Sequence, residues 1–206
     1  MRGLPTAWLD KKPVQCIVLG ASAGGVEAIN RFLQSLTQPL PIPLIITLHI
    51  AKHATFFEHA FRGKIPITVK EAEDKEHWEA GVVYLAPPDY HLLLETDGQF
   101  SLSSEEPVCY ARPSIDVMFE SATYSFGNRA MGILLTGANE DGAKGLFKIH
   151  QSGGFCLVQD PREAQCATMP ESALKLFSPS HIFSVEEMGR FLSQRLSTLP
   201  PMGVEC

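Results

Sequence analysis

The sequence lacks the features that mark several large classes of protein. No apolar run approaches the roughly 20 residues that span a bilayer, and the first 15 residues contain no continuous apolar stretch, so neither a membrane span nor a signal peptide is expected. Only 19% of the residues are charged and the formal net charge is −6, which argues against binding to a nucleic-acid backbone. Five cysteines form no C-x-x-C pair, and their odd number argues against a disulfide framework. With 45% hydrophobic residues, the sequence predicts a single soluble, cytoplasmic domain over residues 1–206.

Short apolar runs alternate with helical patterns along the chain. Strands are expected at 14–19, 44–48, 67–69, 82–85, 131–135, 155–158 and 182–183, and a hairpin pairs 91–95 with 100–102. Helices are expected at 26–36, 115–122, 143–150 and near the C-terminus. Strands that are apolar on both faces and separated by helices indicate a doubly wound, mostly parallel sheet in a three-layer α/β/α fold, with the hairpin as its antiparallel exception.

Chemically useful side chains follow three of these strands. Ser22 lies after the first strand in a G-x-S-x-G motif, His49 ends the second, and Asp141 follows the strand at 131–135. Because ligands gather beyond the carboxyl ends of parallel strands, we expect all three at one sheet edge. In that arrangement Ser22 is the nucleophile, His49 the base and a carboxylate the group that orients the base. Asp141 is the first candidate for that carboxylate, and Glu140 and Asp160 are its alternatives.

Other sites fit these residues less well. A dinucleotide-binding loop needs glycine where Ser22 stands, and a Walker loop needs lysine where Val26 stands. At the end of the second strand, His49 stands where a dinucleotide-binding protein has the acidic residue that binds the ribose. His53 and His59 follow close behind, but no His-Glu-x-x-His motif or thiolate pair accompanies them. The sequence therefore predicts neither a metal nor another cofactor.

A set of ordered motifs carries a family resemblance. They are Gly20-Ala21-Ser22-Ala23-Gly24-Gly25, His49, Tyr84-Leu85-Ala86-Pro87-Pro88-Asp89-Tyr90-His91, Arg112-Pro113-Ser114-Ile115-Asp116, Leu134-Leu135-Thr136-Gly137, Asp141-Gly142 and Met169-Pro170. With them the chain resembles the catalytic domain of CheB-type chemotaxis-receptor methylesterases, the protein-glutamate methylesterases, over a core of about 14–184.

The resemblance implies an activity and a set of site residues. It implies hydrolysis of glutamate γ-methyl esters on the cytoplasmic helices of methyl-accepting chemoreceptors, together with deamidation of receptor glutamines, without nucleic acid or membrane insertion. It assigns the catalytic roles to Ser22, His49 and Asp141. It places Ala23, Ala138 and Arg112 in oxyanion or substrate binding. A non-catalytic chemosensory binding module and a general small-ester hydrolase remain the alternative functions.

The sequence departs from the family pattern at several points. The receiver domain that is usual in the family is not expected within this chain. Control by phosphorylation of such a domain is therefore not expected within the chain either. The turn usually written Gly-Met-Gly-x-Asp-Gly here contains Ala138 and Asn139. Ala51 replaces a common proline after the histidine, and Thr168 stands where glycine usually precedes Met-Pro. These changes bear on substrate preference more than on catalysis. A small basic rim is expected from Lys52, Arg112 and Lys144.

Overall fold

A seven-stranded sheet organises the chain in the computed structural model, which describes residues 14–50, 60–61 and 65–196. The strands are β1 (Cys16–Ala21), β2 (Leu44–Leu48), β3 (Thr68–Glu71), β4 (Val82–Leu85), β5 (His91–Leu94), β6 (Phe100–Ser103), β7 (Ala130–Leu134), β8 (Phe155–Gln159) and β9 (His181–Phe183). The helices are α1 (Gly25–Ser35), α2 (Ile115–Phe126), α3 (Ala143–Gln151), α4 (Thr168–Leu176) and α5 (Val185–Leu196).

The order of the strands places the site. It runs β3-β4-β2-β1-β7-β8-β9, and every pair in this sheet is parallel. β1 lies at the centre, with β2 on one side and β7 on the other, so the strand order reverses at β1. The residues that directly follow the carboxyl ends of β1, β2 and β7 therefore lie at the same edge of the sheet, as in other doubly wound sheets.

Two apolar layers cover the sheet. Alternate β1 residues point to opposite faces, so that Ile17 and Leu19 join one core while Val18 joins the other. The first core contains α1 and α5, and the second contains α2, α3, α4 and the hairpin. Each large apolar side chain that is fully buried here stabilises the fold by about 1.5–3 kcal/mol. Because α5 contributes Leu192 and Leu196, the packed core extends beyond residue 184.

The fold agrees with the predicted class, and some details differ. The hairpin of β5 and β6 is a separate two-stranded sheet, so the main sheet is wholly parallel. Val26, expected on the apolar face of α1, is 44% exposed, and Ala28 and Phe32 are buried in its place. The sequence patterns missed α4. The predictions that concern Ala51, Lys52, His53 and His59 fall outside the described residues. No described helix is both long and apolar enough to cross a membrane.

Candidate active site

Ser22 occupies a sharp turn between β1 and α1. Its N–H donates to the Thr136 carbonyl at 2.9 Å, and its own carbonyl accepts from the Gly25 N–H at 2.7 Å. Gly24 has a φ of +79°, a conformation that disfavours other residues, and a Cβ there would lie 2.5 Å from the Gln165 side chain. Glycine at this position therefore allows the chain to reverse and leaves the Ser22 side chain partly exposed.

His49 connects Ser22 to Asp141. The His49 N–H donates to the Ala21 carbonyl at 3.1 Å, which continues the β1–β2 pairing past the end of β2 and fixes the backbone of the histidine. Its Nδ1 lies 3.1 Å from Ser22 Oγ, and its Nε2 lies 2.8 Å from Asp141 Oδ2. When Nε2–H donates to the carboxylate, the Nδ1 lone pair faces the serine hydroxyl. The ring is then placed to accept the serine proton.

Asp141 is fully buried at the N-terminus of α2. Oδ1 accepts from the Ser114 hydroxyl at 2.9 Å and the Asp116 N–H at 3.0 Å, while Oδ2 accepts from the Ile115 N–H at 2.7 Å and from His49. Burial by itself raises the pKa of this carboxyl, but the hydrogen bonds from His49, Ile115 and Asp116 lower its pKa below the ordinary value. Asp141 is therefore an anion at neutral pH, held in one orientation by four donors.

A second buried carboxylate, Asp116, stands beside Asp141 and caps the neighbouring helix. Its Oδ1 accepts from the Gly145 N–H at 2.6 Å, in the first turn of α3. Asp141, two residues before α3, thus accepts from the first N–H groups of α2, and Asp116 of α2 accepts in turn from the first turn of α3. Burial, with the charge of Asp141, raises the pKa of Asp116 to about 6 although main-chain N–H groups oppose the shift.

Main-chain donors lie next to the serine turn. The Thr136 hydroxyl donates to the Ala23 carbonyl at 2.9 Å and accepts from the Cys166 N–H at 2.9 Å, which joins three loops. The Gly137 N–H already donates to the Cys166 carbonyl. Within the described part of the chain, the N–H groups of Ala23 and Ala138 donate to no other residue, and both residues are exposed. These two N–H groups are free to receive developing negative charge.

Gln159 supports this arrangement from inside the protein, and sequence reasoning missed it. Its side chain is 1% exposed, its Oε1 accepts from the Thr136 N–H at 2.7 Å, and its Nε2 donates to Glu163 at 3.2 Å. Glu163 also accepts from Arg31, which pairs with Glu186. No sequence motif indicates Gln159, whereas Ser114, directly before an apolar helical pattern, is a recognisable N-cap signal.

A cleft of about 480 Å³ opens beside His49. It is lined by His49, Ile50, Asp89, Pro107, Cys109, Tyr110, Ala111, Arg112, Pro113 and Asn139. Arg112 is among these lining residues, but its guanidinium donates to Asp89 and to the carbonyls of Ser104 and Glu105. It therefore clamps the preceding loop, and its part in substrate binding stays a prediction. Of the expected basic rim, Arg112 is neutralised by Asp89, and Lys144 is exposed.

Among the described residues, neither alternative carboxylate forms a hydrogen bond with His49. Asp160 forms a hydrogen-bonded ion pair with Arg162, which lowers the pKa of Asp160 to about 2. Glu140 is exposed. Of the three carboxylates considered, Asp141 is the one that the structure brings to His49.

One described set of residues could approach a metal ion. The ligand atoms of Cys109, Asp116 and Asp141 lie within 4.8 Å of one another. However, both Asp141 oxygens already accept two hydrogen bonds each, and Asp116 caps α3. Burial, followed by the charges of the two carboxylates, raises the pKa of the Cys109 thiol, which disfavours the thiolate that a metal would need. We assign no metal to this set.

The fold and the site define a class of protein: a doubly wound α/β domain with the side-chain arrangement of a serine hydrolase. The chain belongs to the CheB methylesterase family, because the model of that family matches residues 17–192. A crystal structure of the Thermotoga maritima CheB methylesterase catalytic domain matches with a TM-score of 0.78 and 26% identity, over 87% of this chain and 97% of that one. The family and the fold class expected from the sequence are thereby confirmed.

Two relatives illustrate the range of similarity. A Paraburkholderia xenovorans protein named protein-glutamate methylesterase/protein-glutamine glutaminase is 40% identical over 89% of this chain and 51% of its own length. A Leptospira interrogans relative, which carries the same name provisionally, is 44% identical over 84% of this chain and 91% of its own length. The chain thus spans about half of the first relative and nearly all of the second. Both names describe carboxylic ester hydrolases, which agrees with the predicted enzyme class.

Proposed function

We propose that this chain hydrolyses glutamate γ-methyl esters on the cytoplasmic helices of methyl-accepting chemoreceptors, with Ser22, His49 and Asp141 as its catalytic residues. One observation carries the proposal: in a member of the CheB methylesterase family, Ser22 Oγ, His49 and Asp141 form a continuous hydrogen-bonded chain. The names of the relatives support the ester and the glutamate residue as the substrate.

The first half of the reaction forms an acyl-enzyme. Ser22 Oγ attacks the ester carbonyl carbon while its proton passes to His49 Nδ1, and Asp141 stabilises the resulting imidazolium. The carbonyl oxygen becomes an oxyanion, which accepts hydrogen bonds from the free N–H groups of Ala23 and Ala138. One such donor typically contributes a factor of about 10²–10³ to kcat. The intermediate collapses, the C–O bond to the methoxy group breaks, and His49 returns the proton so that methanol leaves.

The second half restores the serine. Water attacks the acyl carbon, and His49 Nδ1 accepts a proton from it. The second intermediate then collapses: the C–O bond to Ser22 breaks, His49 returns the proton to Ser22 Oγ, and the glutamate carboxylate leaves. A glutamine amide passes through the same steps, with ammonia as the leaving group. Glutaminase activity on receptor glutamines is therefore part of the proposal, and the two-part names of the relatives support it.

Methanol release from a methylated receptor cytoplasmic fragment tests the proposal. We expect release by the wild-type protein and a loss on the order of 10³-fold or more in Ser22→Ala, with unchanged thermal stability. A serine-directed fluorophosphonate should label Ser22 in the wild type. Equal turnover by the variant would refute the assignment of the nucleophile. Receptor binding without methanol release or labelling would instead favour a non-catalytic module, and turnover of small esters alone would favour a general esterase.

A further inference from the structure

An unusual turn stands at the edge of the catalytic cleft. Val108 and Ala111 exchange two main-chain hydrogen bonds, of 3.1 and 2.9 Å, so that Cys109 and Tyr110 form a two-residue hairpin loop. Cys109 has a φ of 51° and Tyr110 a φ of 62°. Turns with positive φ at both central residues favour Asn-Gly, and neither residue here is glycine or asparagine. A cysteine and a tyrosine thus occupy two positions whose positive φ angles disfavour them.

The loop that carries this turn is anchored on both sides. Arg112 holds it from the C-terminal side, through Asp89 and the carbonyls of Ser104 and Glu105. The buried His91 holds it from β5, because its Nε2 lies 3.1 Å from the Glu106 carbonyl. The turn is therefore presented from a fixed support, which suits a recognition element better than a free loop would.

The two central residues differ in their surroundings. Cys109 is partly buried, and its sulfur lies within 4.8 Å of carboxylate oxygens of Asp116 and Asp141. Tyr110 is 104% exposed, although it lines the same cleft as His49. Its ring therefore contributes almost nothing to the packing of the folded chain. The apolar part of the cleft wall comes instead from residues such as Ile50 and Pro113.

We propose that Tyr110 is a specificity-determining residue that contacts the polypeptide on either side of the ester, and so favours a protein ester over a small one. The inference rests on the proposed function and adds the group that recognises the substrate. A methylated glutamate side chain enters the cleft, and the ring of Tyr110 lies against apolar side chains of the helix that carries it. Tyrosine suits this role because it offers a large, rigid contact surface at a low cost in conformational entropy.

The experiment compares two tyrosines and two substrates. Tyr110→Asn removes the ring and places asparagine where positive φ is tolerated, so the turn itself is kept. Tyr124→Asn is the matched control, because Tyr124 is 86% exposed near the C-terminal end of α2. The substrates are the methylated receptor fragment and N-acetyl-glutamate γ-methyl ester, which has the same reacting group. For Tyr110→Asn we expect KM for the fragment to rise about tenfold, with kcat and all small-ester kinetics within twofold of the wild type.

Each outcome has a distinct meaning. Wild-type kinetics of Tyr110→Asn on both substrates, or an equal loss on both, would overturn the role of Tyr110 and leave the proposed function intact. An equal rise of KM for the fragment in Tyr124→Asn would also overturn it, since the effect would not be local. If the wild-type protein hydrolysed neither substrate, the proposed function would fail and this inference with it.

Discussion

Replacing Asp141 by asparagine keeps the size of the side chain and removes its charge. The carboxylate accepts hydrogen bonds from Ser114, Ile115, Asp116 and His49. An amide offers one oxygen, so its NH₂ group must face one of the two donor pairs. If the oxygen faces His49 and Ile115, the Ser114 hydroxyl can turn to accept, but the Asp116 N–H is left unpaired. If the NH₂ group faces His49, the Ile115 N–H is unpaired and the imidazole takes the wrong tautomer.

The expected loss of activity follows from these two orientations. In both, the imidazolium that forms during catalysis loses a buried negative charge, worth about 4 kcal/mol for charges about 4 Å apart at an effective dielectric constant of about 20. That energy corresponds to about 10³ in kcat, and the wrong tautomer raises the loss to about 10⁴. We therefore expect kcat for methanol release to fall by about 10³–10⁴ in Asp141→Asn. A loss below tenfold would refute the role of Asp141 as the orienting acid.

The same substitution has a measurable effect on stability. One unpaired buried N–H costs about 1–3 kcal/mol, and the lost anion at the N-terminus of α2 costs up to about 1 kcal/mol more, so the melting temperature should fall by roughly 2–16 °C. Because the fold lowers the pKa of Asp141, its charge stabilises the wild type above the ordinary pKa of 3.8, and this contribution is lost as the pH falls further. The difference between wild type and variant should therefore shrink below about pH 4. Ser22→Ala, which should lose kcat without losing stability, is the control.

Three further substitutions test the surroundings of the site. Because folding raises the pKa of Asp116 to about 6, wild-type stability should fall by roughly 2 kcal/mol as the pH rises from 4 to 6. Urea unfolding of Asp116→Asn should lack that slope, and parallel curves for the two proteins would contradict the assignment. Gly24→Ala places a Cβ against Gln165 and forces alanine into a positive φ, so it should cost about 1–2 kcal/mol of stability and lower kcat. A melting curve identical to that of the wild type would contradict this expectation. Thr136→Val leaves the Cys166 N–H unpaired, so it should lower kcat for a small ester at least tenfold with KM unchanged. Thr136→Ser keeps the hydroxyl and should restore kcat. A serine variant as impaired as the valine variant would argue against a role for the Thr136 hydroxyl.

The parts of the site that sequence patterns predicted depend on local signals. Ser22 and His49 directly follow short apolar strands, and a glycine-rich turn precedes α1, so each position could be read within a window of about ten residues. Asp141 required one further step, the rule that loops at the carboxyl ends of parallel strands meet. The bounds of most strands were predicted to within one or two residues for the same reason.

The parts that were missed depend on contacts between distant segments. Gln159 meets Thr136 across 23 positions, and Asp116 caps the first turn of α3 across 29. Neither contact follows any periodicity, because it arises only when β7, β8 and the two helices are packed. The detached hairpin has the same origin: Phe100 packs against Tyr84 and Trp78, and these aromatic contacts hold the hairpin on a face of the sheet instead of at its edge. Pro170 within the first turn interrupts the pattern that would have indicated α4.

Arg112 has two possible roles: the family resemblance implies substrate binding, whereas its observed contacts hold a loop in place. If it binds substrate charge directly, Arg112→Lys should raise KM for N-acetyl-glutamate γ-methyl ester, whose α-carboxylate is free, and spare the corresponding α-amide. If it is the clamp of the loop that carries Tyr110, lysine cannot reproduce its planar set of donors to Asp89 and two carbonyls. We expect the second result: both small esters unchanged within twofold, KM for the receptor fragment raised, and stability reduced by about 1–3 kcal/mol. A rise of KM confined to the ester with the free carboxylate would return Arg112 to substrate binding.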